Sequence, residues 1–308
     1  MGAVGGMVVG AAGVLGVLGG ASFAEGAVKT ERIEYTVGET TYEGVLAYDD
    51  AVQGKRPGVL VCPEWWGMNE YSQMRARMLA EAGFVAFALD VYGKGKVTTD
   101  PKQAAEWSGV SQNAPLMHMV AGAGLRILAE NPRVERTALA AIGYCMGGGI
   151  ALELARSGVE HSQYLQVIGA FHASHIAADD PRSNARIKGT VLVCHGQDDP
   201  MVPAEQISEF HSQMKAAYVD YVFVSYAGAV HAFTNPGADK FGIKGVKYDE
   251  KADRRSWREL MGLLNEKFGR MMGRGGAGEG APAAGAKDAP AAPASKGTDA
   301  KPEGADKR

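Results

Sequence analysis

Residues able to do nucleophilic chemistry stand out first at Gly143-Tyr144-Cys145-Met146-Gly147-Gly148. An apolar run over 137–142 precedes them and a helical pattern over 149–155 follows, so the segment reads as strand, sharp turn, helix. That is the context of a nucleophile elbow. Glycines at 143 and 147 remove the Cβ atoms that would clash where strand and helix nearly touch. The residue between them is pushed into a strained conformation with its side chain above the sheet edge. Here it is Cys145, and the helix starting at Met146 turns its first N–H groups toward the sulfur, which suits an anionic nucleophile. The competing reading is a small buried residue in a glycine turn.

A cysteine nucleophile needs a base, and the base needs an orienting carboxylate. In this architecture they follow the nucleophile in the order acid, then histidine. After Cys145, an apolar strand over 189–194 runs into His195-Gly196-Gln197-Asp198-Asp199-Pro200, and a strand over 218–226 runs into Ala227-Gly228-Ala229-Val230-His231. Cys145, Asp199 and His231 therefore stand in the required order. On spacing alone Asp198 would serve as well as Asp199.

The elements that must position these residues are legible around them. Alternating segments at 31–37 and 41–48 predict an antiparallel hairpin. Strands follow at 57–62, 84–89, 137–142, 164–171, 189–194 and 218–226, and helices at 71–82, 101–109, 115–130, 203–217 and 249–268. Strands alternating with helices predict a single α/β domain over 28–269, with a mostly parallel central sheet and helices on both faces. In such a sheet functional groups gather beyond the carboxyl ends of the strands. Glu64, Lys94, Cys145, His172, Asp199 and His231 all fall there.

The ends of the chain differ from this body. Residues 1–24 are glycine-rich, apolar and uncharged, ending in Ala21-Ser22-Phe23-Ala24, and read as a signal peptide with export of the mature protein. Residues 273–308 are mostly Ala, Gly, Pro, Lys and Asp and read as a disordered tail. A net charge of −3 leaves no footprint for nucleic acid and no polybasic patch for a membrane surface. Three cysteines imply no disulfide framework.

Several motifs together resemble the dienelactone hydrolase family, a compact branch of the α/β-hydrolases. They are Pro63-Glu64-Trp65-Trp66-Gly67, Asp90-Val91-Tyr92-Gly93-Lys94, the Cys145 elbow, His195-Gly196 with Asp199 and Val202-Pro203, and Ala229, His231 and Phe233. The resemblance implies an α/β-hydrolase fold over about 28–268, a Cys-Asp-His triad and no cofactor. It makes Cys145 the nucleophile, His231 the base and Asp199 the orienting carboxylate. Glu64 matches a glutamate that lies against the resting cysteine. The oxyanion would rest on the backbone N–H groups of Trp65 and Met146. Members that cleave dienelactone hold the substrate carboxylate with two arginines. Lys94 stands at one of those positions and Asn235 at the other, so cleavage of dienelactone itself is in doubt while ester or lactone chemistry is not.

Lys94, Tyr92, His172 and Trp66 are accordingly expected along the substrate pocket. His172 and His175, near Asp179 and Asp180, make too weak a pattern for a metal, and none is expected. The partner is a small-molecule ester or lactone, with no nucleic acid, no stable membrane insertion after processing, and a monomer consistent with the rest. Rival readings are a thioesterase, acyltransferase or peptidase on the same triad, or a ligand-binding or redox-responsive protein in which Cys62 pairs with Cys145.

Overall fold

The structure, a computed structural model, describes residues 28–273. Residues 1–24, read as a signal peptide, and the tail from 274 onward lie outside the described residues. The hairpin is formed by β1 (Val28–Val37) and β2 (Thr40–Asp49), antiparallel, with Val28 opposite Asp49 and Val37 opposite Thr40. Then follow β3 (Arg56–Cys62), α1 (Glu70–Glu81), β4 (Val85–Ala88), α2 (Pro101–Ser108), α3 (Ala114–Glu130) and β5 (Val134–Tyr144). The second half adds α4 (Met146–Ser157), β6 (Leu165–Phe171), β7 (Thr190–Gly196), α5 (Ala204–Ala216), β8 (Tyr221–Tyr226) and α6 (Glu250–Phe268).

These strands make one sheet in the order β1-β2-β4-β3-β5-β6-β7-β8. From β4 to β8 every pairing is parallel, and β2 joins β4 antiparallel, so the hairpin forms one edge. All seven residues of β3 are buried, as a central parallel strand covered on both faces requires. Its alternate side chains serve two cores. Leu60 and Cys62 share one with Val120 and Leu125 of α3, Ile150 of α4 and Phe210 of α5. Val59 and Val61 share the other with Leu79 of α1 and Leu260 and Leu264 of α6.

The chain steps from β3 outward to β4, then returns across β3 to β5, so the connections diverge at the centre of the sheet. Loops leaving the carboxyl ends of β3 and β5 thus lie side by side and open a crevice between them. Element limits differ from the sequence pattern chiefly at β8, which starts at Tyr221 rather than 218. Residues 217–219 are used to close α5: the N–H of Ala217 reaches the carbonyl of Gln213, that of Val219 reaches Met214, and Tyr218 takes a φ of 55°.

Candidate active site

Cys145 is the N-cap of α4, with φ 54° and ψ −121°. Two close approaches impose that turn. A Cβ on Gly143 would lie 1.9 Å from the carbonyl oxygen of Gly147, and one on Gly147 would lie 2.3 Å from that of Cys62. No side chain fits at either position, and Cys145 between them is held with positive φ at the mouth of the crevice. Its N–H is shared between the carbonyl of Phe171 (3.0 Å) and Nδ1 of His172 (3.1 Å).

His231 leaves β8 and is fixed through its own backbone. Its N–H donates to Gly245 at 3.1 Å and its carbonyl accepts from Lys247 at 3.1 Å, which ties down both ends of an excursion over 232–248. Nδ1 lies 2.8 Å from Oδ2 of Asp199, whose Oδ1 accepts the N–H of Met201 at 2.8 Å. Asp198 is exposed and engages only its backbone N–H, with Ala229, so Asp199 is the carboxylate that holds the histidine. Nε2 of His231 is buried with no hydrogen-bond partner among the described residues. Burial disfavours charge on this ring, but neighbouring Cys145 and Asp199 outweigh it and raise its pKa to about 10.

Glu64 follows β3 and is 2% exposed. Its Oε2 accepts from Nδ2 of Asn235 at 2.6 Å, so its partner here is an amide rather than the sulfur. Burial lifts its pKa to about 7, although Asn235, His231 and Arg75 all favour the anion.

Glu64, Cys145 and His231 share the wall of one cavity of about 230 Å³ with Trp65, Trp66 and Met146. Trp66 is braced by stacking on Phe241, 4.1 Å between centroids. Met201, Ile243 and Val246 complete an apolar side, and Ser108, Ser111 and Gln112, at the end of α2 and the turn after it, give a polar one. Trp65 and Met146, the residues expected to present N–H groups to an oxyanion, both line this wall. Met146 is the first residue of α4, where N–H groups lack acceptors within the helix. A second cavity, about 240 Å³, lies beside the 90–97 loop. The Asp90 carboxylate on its wall is already engaged by the N–H groups of Glu43, Tyr92 and Gly93.

The sequence model of the dienelactone hydrolase family matches residues 42–268. The chain belongs to the dienelactone hydrolase family. A solved structure described as m3DLH is 40% identical, with a TM-score of 0.75, over 79% of this chain and all of its own. A dienelactone hydrolase-like promiscuous phosphotriesterase from metagenomic libraries is 36% identical, also with a TM-score of 0.75, over 79% of this chain and all of its own. A carboxymethylenebutenolidase from a Pseudomonas species is 30% identical over 63% of this chain and 81% of that protein. The protein is thus an enzyme, a carboxylic ester hydrolase of the dienelactone hydrolase kind, acting on esters or lactones, with the α/β-hydrolase fold.

Within this dienelactone hydrolase frame three pocket expectations need correction. Lys94 does not reach the cavity. The loop after β4 is drawn to the hairpin by the bond from its N–H to the Thr41 carbonyl (2.9 Å), and its ammonium pairs at the surface with Glu34 and, at 3.7 Å, with Glu43. Tyr92 stands behind the wall, its hydroxyl donating to the Trp65 carbonyl at 3.0 Å and lying 3.5 Å from Sδ of Met146. His172 is fully buried beneath the elbow, with Nε2 2.7 Å from Oγ1 of Thr234. Trp66 alone of the four lines the cavity. Among the described residues no cluster of three or more His, Cys, Asp or Glu is placed to hold a metal. Cys62 lies opposite Gly143 in the sheet, and burial pushes its thiol up to about 12.

Sequence spacing missed the working parts of the 232–248 excursion: Asn235 as the partner of Glu64, and Ile243 and Val246 as cavity wall. The one available signal was the position of Asn235, four residues after His231.

Proposed function

We propose that this hydrolase works through Cys145, His231 and Asp199 and a thioester acyl-enzyme. The observation that carries the reading is the strained Cys145 on the same cavity wall as His231, whose other nitrogen is held 2.8 Å from Asp199. With His231 holding a proton, the Cys145 sulfur attacks the substrate carbonyl carbon and the carbonyl electrons move onto oxygen. N–H groups of Trp65 and Met146 would receive that oxyanion, an interaction typically worth about 3 kcal/mol in the barrier. Collapse breaks the carbon–oxygen bond, and Nε2 of His231 gives its proton to the departing alkoxide or enolate. The now neutral imidazole takes a proton from water, whose oxygen attacks the thioester and expels Cys145. Nε2, with no hydrogen-bond partner among the described residues, is the atom this cycle requires.

Because sulfur is itself a good leaving group, an intermediate built on a poor alkoxide reverts to substrate. Enol esters and other activated esters are therefore the preferred class. The test compares an enol ester with the ethyl ester of the same acid, in the wild type and in Cys145→Ala. Faster turnover of the ethyl ester, or turnover that survives in the variant, would contradict the reading. Similarity to the metagenomic phosphotriesterase supports adding a neutral phosphotriester to the panel. We place this activity after export, on the composition of residues 1–24. Recovery of secreted protein with an intact first residue would contradict cleavage.

A further inference from the structure

We infer that the substrate of this site is an uncharged ester or lactone with an apolar body, and that carboxylate-bearing lactones are discriminated against. This rests on the hydrolase reading above and sharpens it.

Moving an anion into a largely apolar cavity strips part of its hydration, which a protein normally offsets with a cation or a convergent set of donors. Apart from the reacting histidine this cavity offers no cation, and its side-chain donors include the neutral groups of Ser108, Ser111 and Gln112 on one side. Among the described residues no lysine or arginine lines it. Lys94 is committed to Glu34 and Glu43 on the hairpin surface. Asn235 is neutral, with Nδ2 on Glu64 at 2.6 Å and Oδ1 accepting the N–H of Gly237 at 2.8 Å. The buried guanidinium of Arg75 is taken up by Asp253 at 2.5 Å and the Thr234 carbonyl at 2.6 Å.

What the wall does carry is a carboxyl group, Glu64, which would repel a second anion brought alongside. The histidines do not reverse this balance: the charge of His231 is matched by Asp199 at Nδ1 and its Nε2 is given to the reacting atoms, and His175 is an exposed residue at the rim. The large apolar side chains of the contact surface are Trp65, Trp66, Met146, Met201, Ile243 and Val246. One segment, 232–248, sets both halves of the preference. It sets the neutral Asn235 against Glu64, and it brings Ile243 and Val246 to the wall.

The test uses two 4-nitrophenyl esters of adipic acid with the same chain length, one ending in a free carboxylate and the other in its methyl ester. 4-Nitrophenyl acetate and Cys145→Ala serve as controls. The uncharged ester should show kcat/KM about 100-fold above the anionic one at pH 8. Ile243→Arg, which adds a cation to the wall, should shrink that ratio at least about tenfold. Equal or better turnover of the anionic ester, with 4-nitrophenyl acetate still cleaved in a Cys145-dependent way, overturns the inference and leaves the hydrolase reading standing. An unchanged ratio in folded Ile243→Arg also overturns it. Absence of Cys145-dependent turnover of all three esters overturns the hydrolase reading and this inference with it.

Discussion

His231 and His172 meet ring edge to face at 5.3 Å between centroids, and the polar groups on either side of that contact are arranged in opposite ways. Behind the elbow, His172 accepts the Cys145 N–H at Nδ1, so its proton is on Nε2 and goes to Oγ1 of Thr234. Burial, with His231 and Arg75 nearby, holds its pKa well below the usual value, and the ring is neutral. Thr234 Oγ1 lies 2.6 Å from the Tyr71 hydroxyl, which also accepts from Nε of Arg75 at 3.3 Å. Arg75 ends the chain on Asp253 of α6. In front, Nε2 of His231 has no hydrogen-bond partner among the described residues, and Glu64 is buried with the Asn235 amide as its partner. Completed networks fix a single geometry, whereas groups left short of partners hold bonding capacity for something else. The back cluster therefore serves the fold, and the proposed mechanism gives the front cluster to the substrate.

Deletions on the two sides should then have opposite signs. The largest effect is expected behind. Arg75→Met leaves Asp253 and Tyr71 without their cation and should cost about 3–5 kcal/mol in urea unfolding. Wild-type stability in that variant would erase the distinction.

Glu64→Gln should do the reverse. The folded carboxyl, at about 7 against an ordinary 4.5, binds its proton more tightly than the unfolded one. Stability is thus lost as pH rises from about 4.5 through 7, amounting to about 3 kcal/mol above that window. The glutamine variant should be more stable than wild type by about that amount at pH 8 and equal to it near pH 4, while ester turnover falls. Equal unfolding midpoints at pH 8 would count against the account.

Thr234→Val strands the Nε2–H of His172 and should cost about 1–3 kcal/mol, read by thermal unfolding. The smallest effect tests a neighbour that breaks the rule. Tyr144 stacks on Phe171 at 4.9 Å, yet its buried hydroxyl has no hydrogen bond among the described residues. Tyr144→Phe should leave stability within about 0.5 kcal/mol or raise it. A clear loss would mean that hydroxyl has work in the network.

What could be read from the sequence was local or periodic. The elbow is legible because both glycines flank Cys145 in sequence, although the carbonyl that Gly147 must clear belongs to Cys62 on the neighbouring strand. The strands are apolar runs because they are buried on both faces, and the placement of Asp199 and His231 follows from strand order. What could not be read depends on where a loop travels. Lys94 has the right type for a pocket cation, but a backbone bond to Thr41 turns its loop toward the hairpin. Asp198 and Asp199 differ by one position, and only burial against His231 separates them. His172 and Tyr92 sit at strand ends as expected, yet both spend their polar atoms on supporting the wall.

Cys145 is proposed to carry the acyl group. Wild type and Cys145→Ala would be mixed with an activated ester, quenched in acid within milliseconds and weighed intact. One added acyl mass is expected on the wild type, located at Cys145, released by hydroxylamine at neutral pH and absent from the variant. Steady turnover by Cys145→Ala, or an acyl group found on another residue, would contradict it.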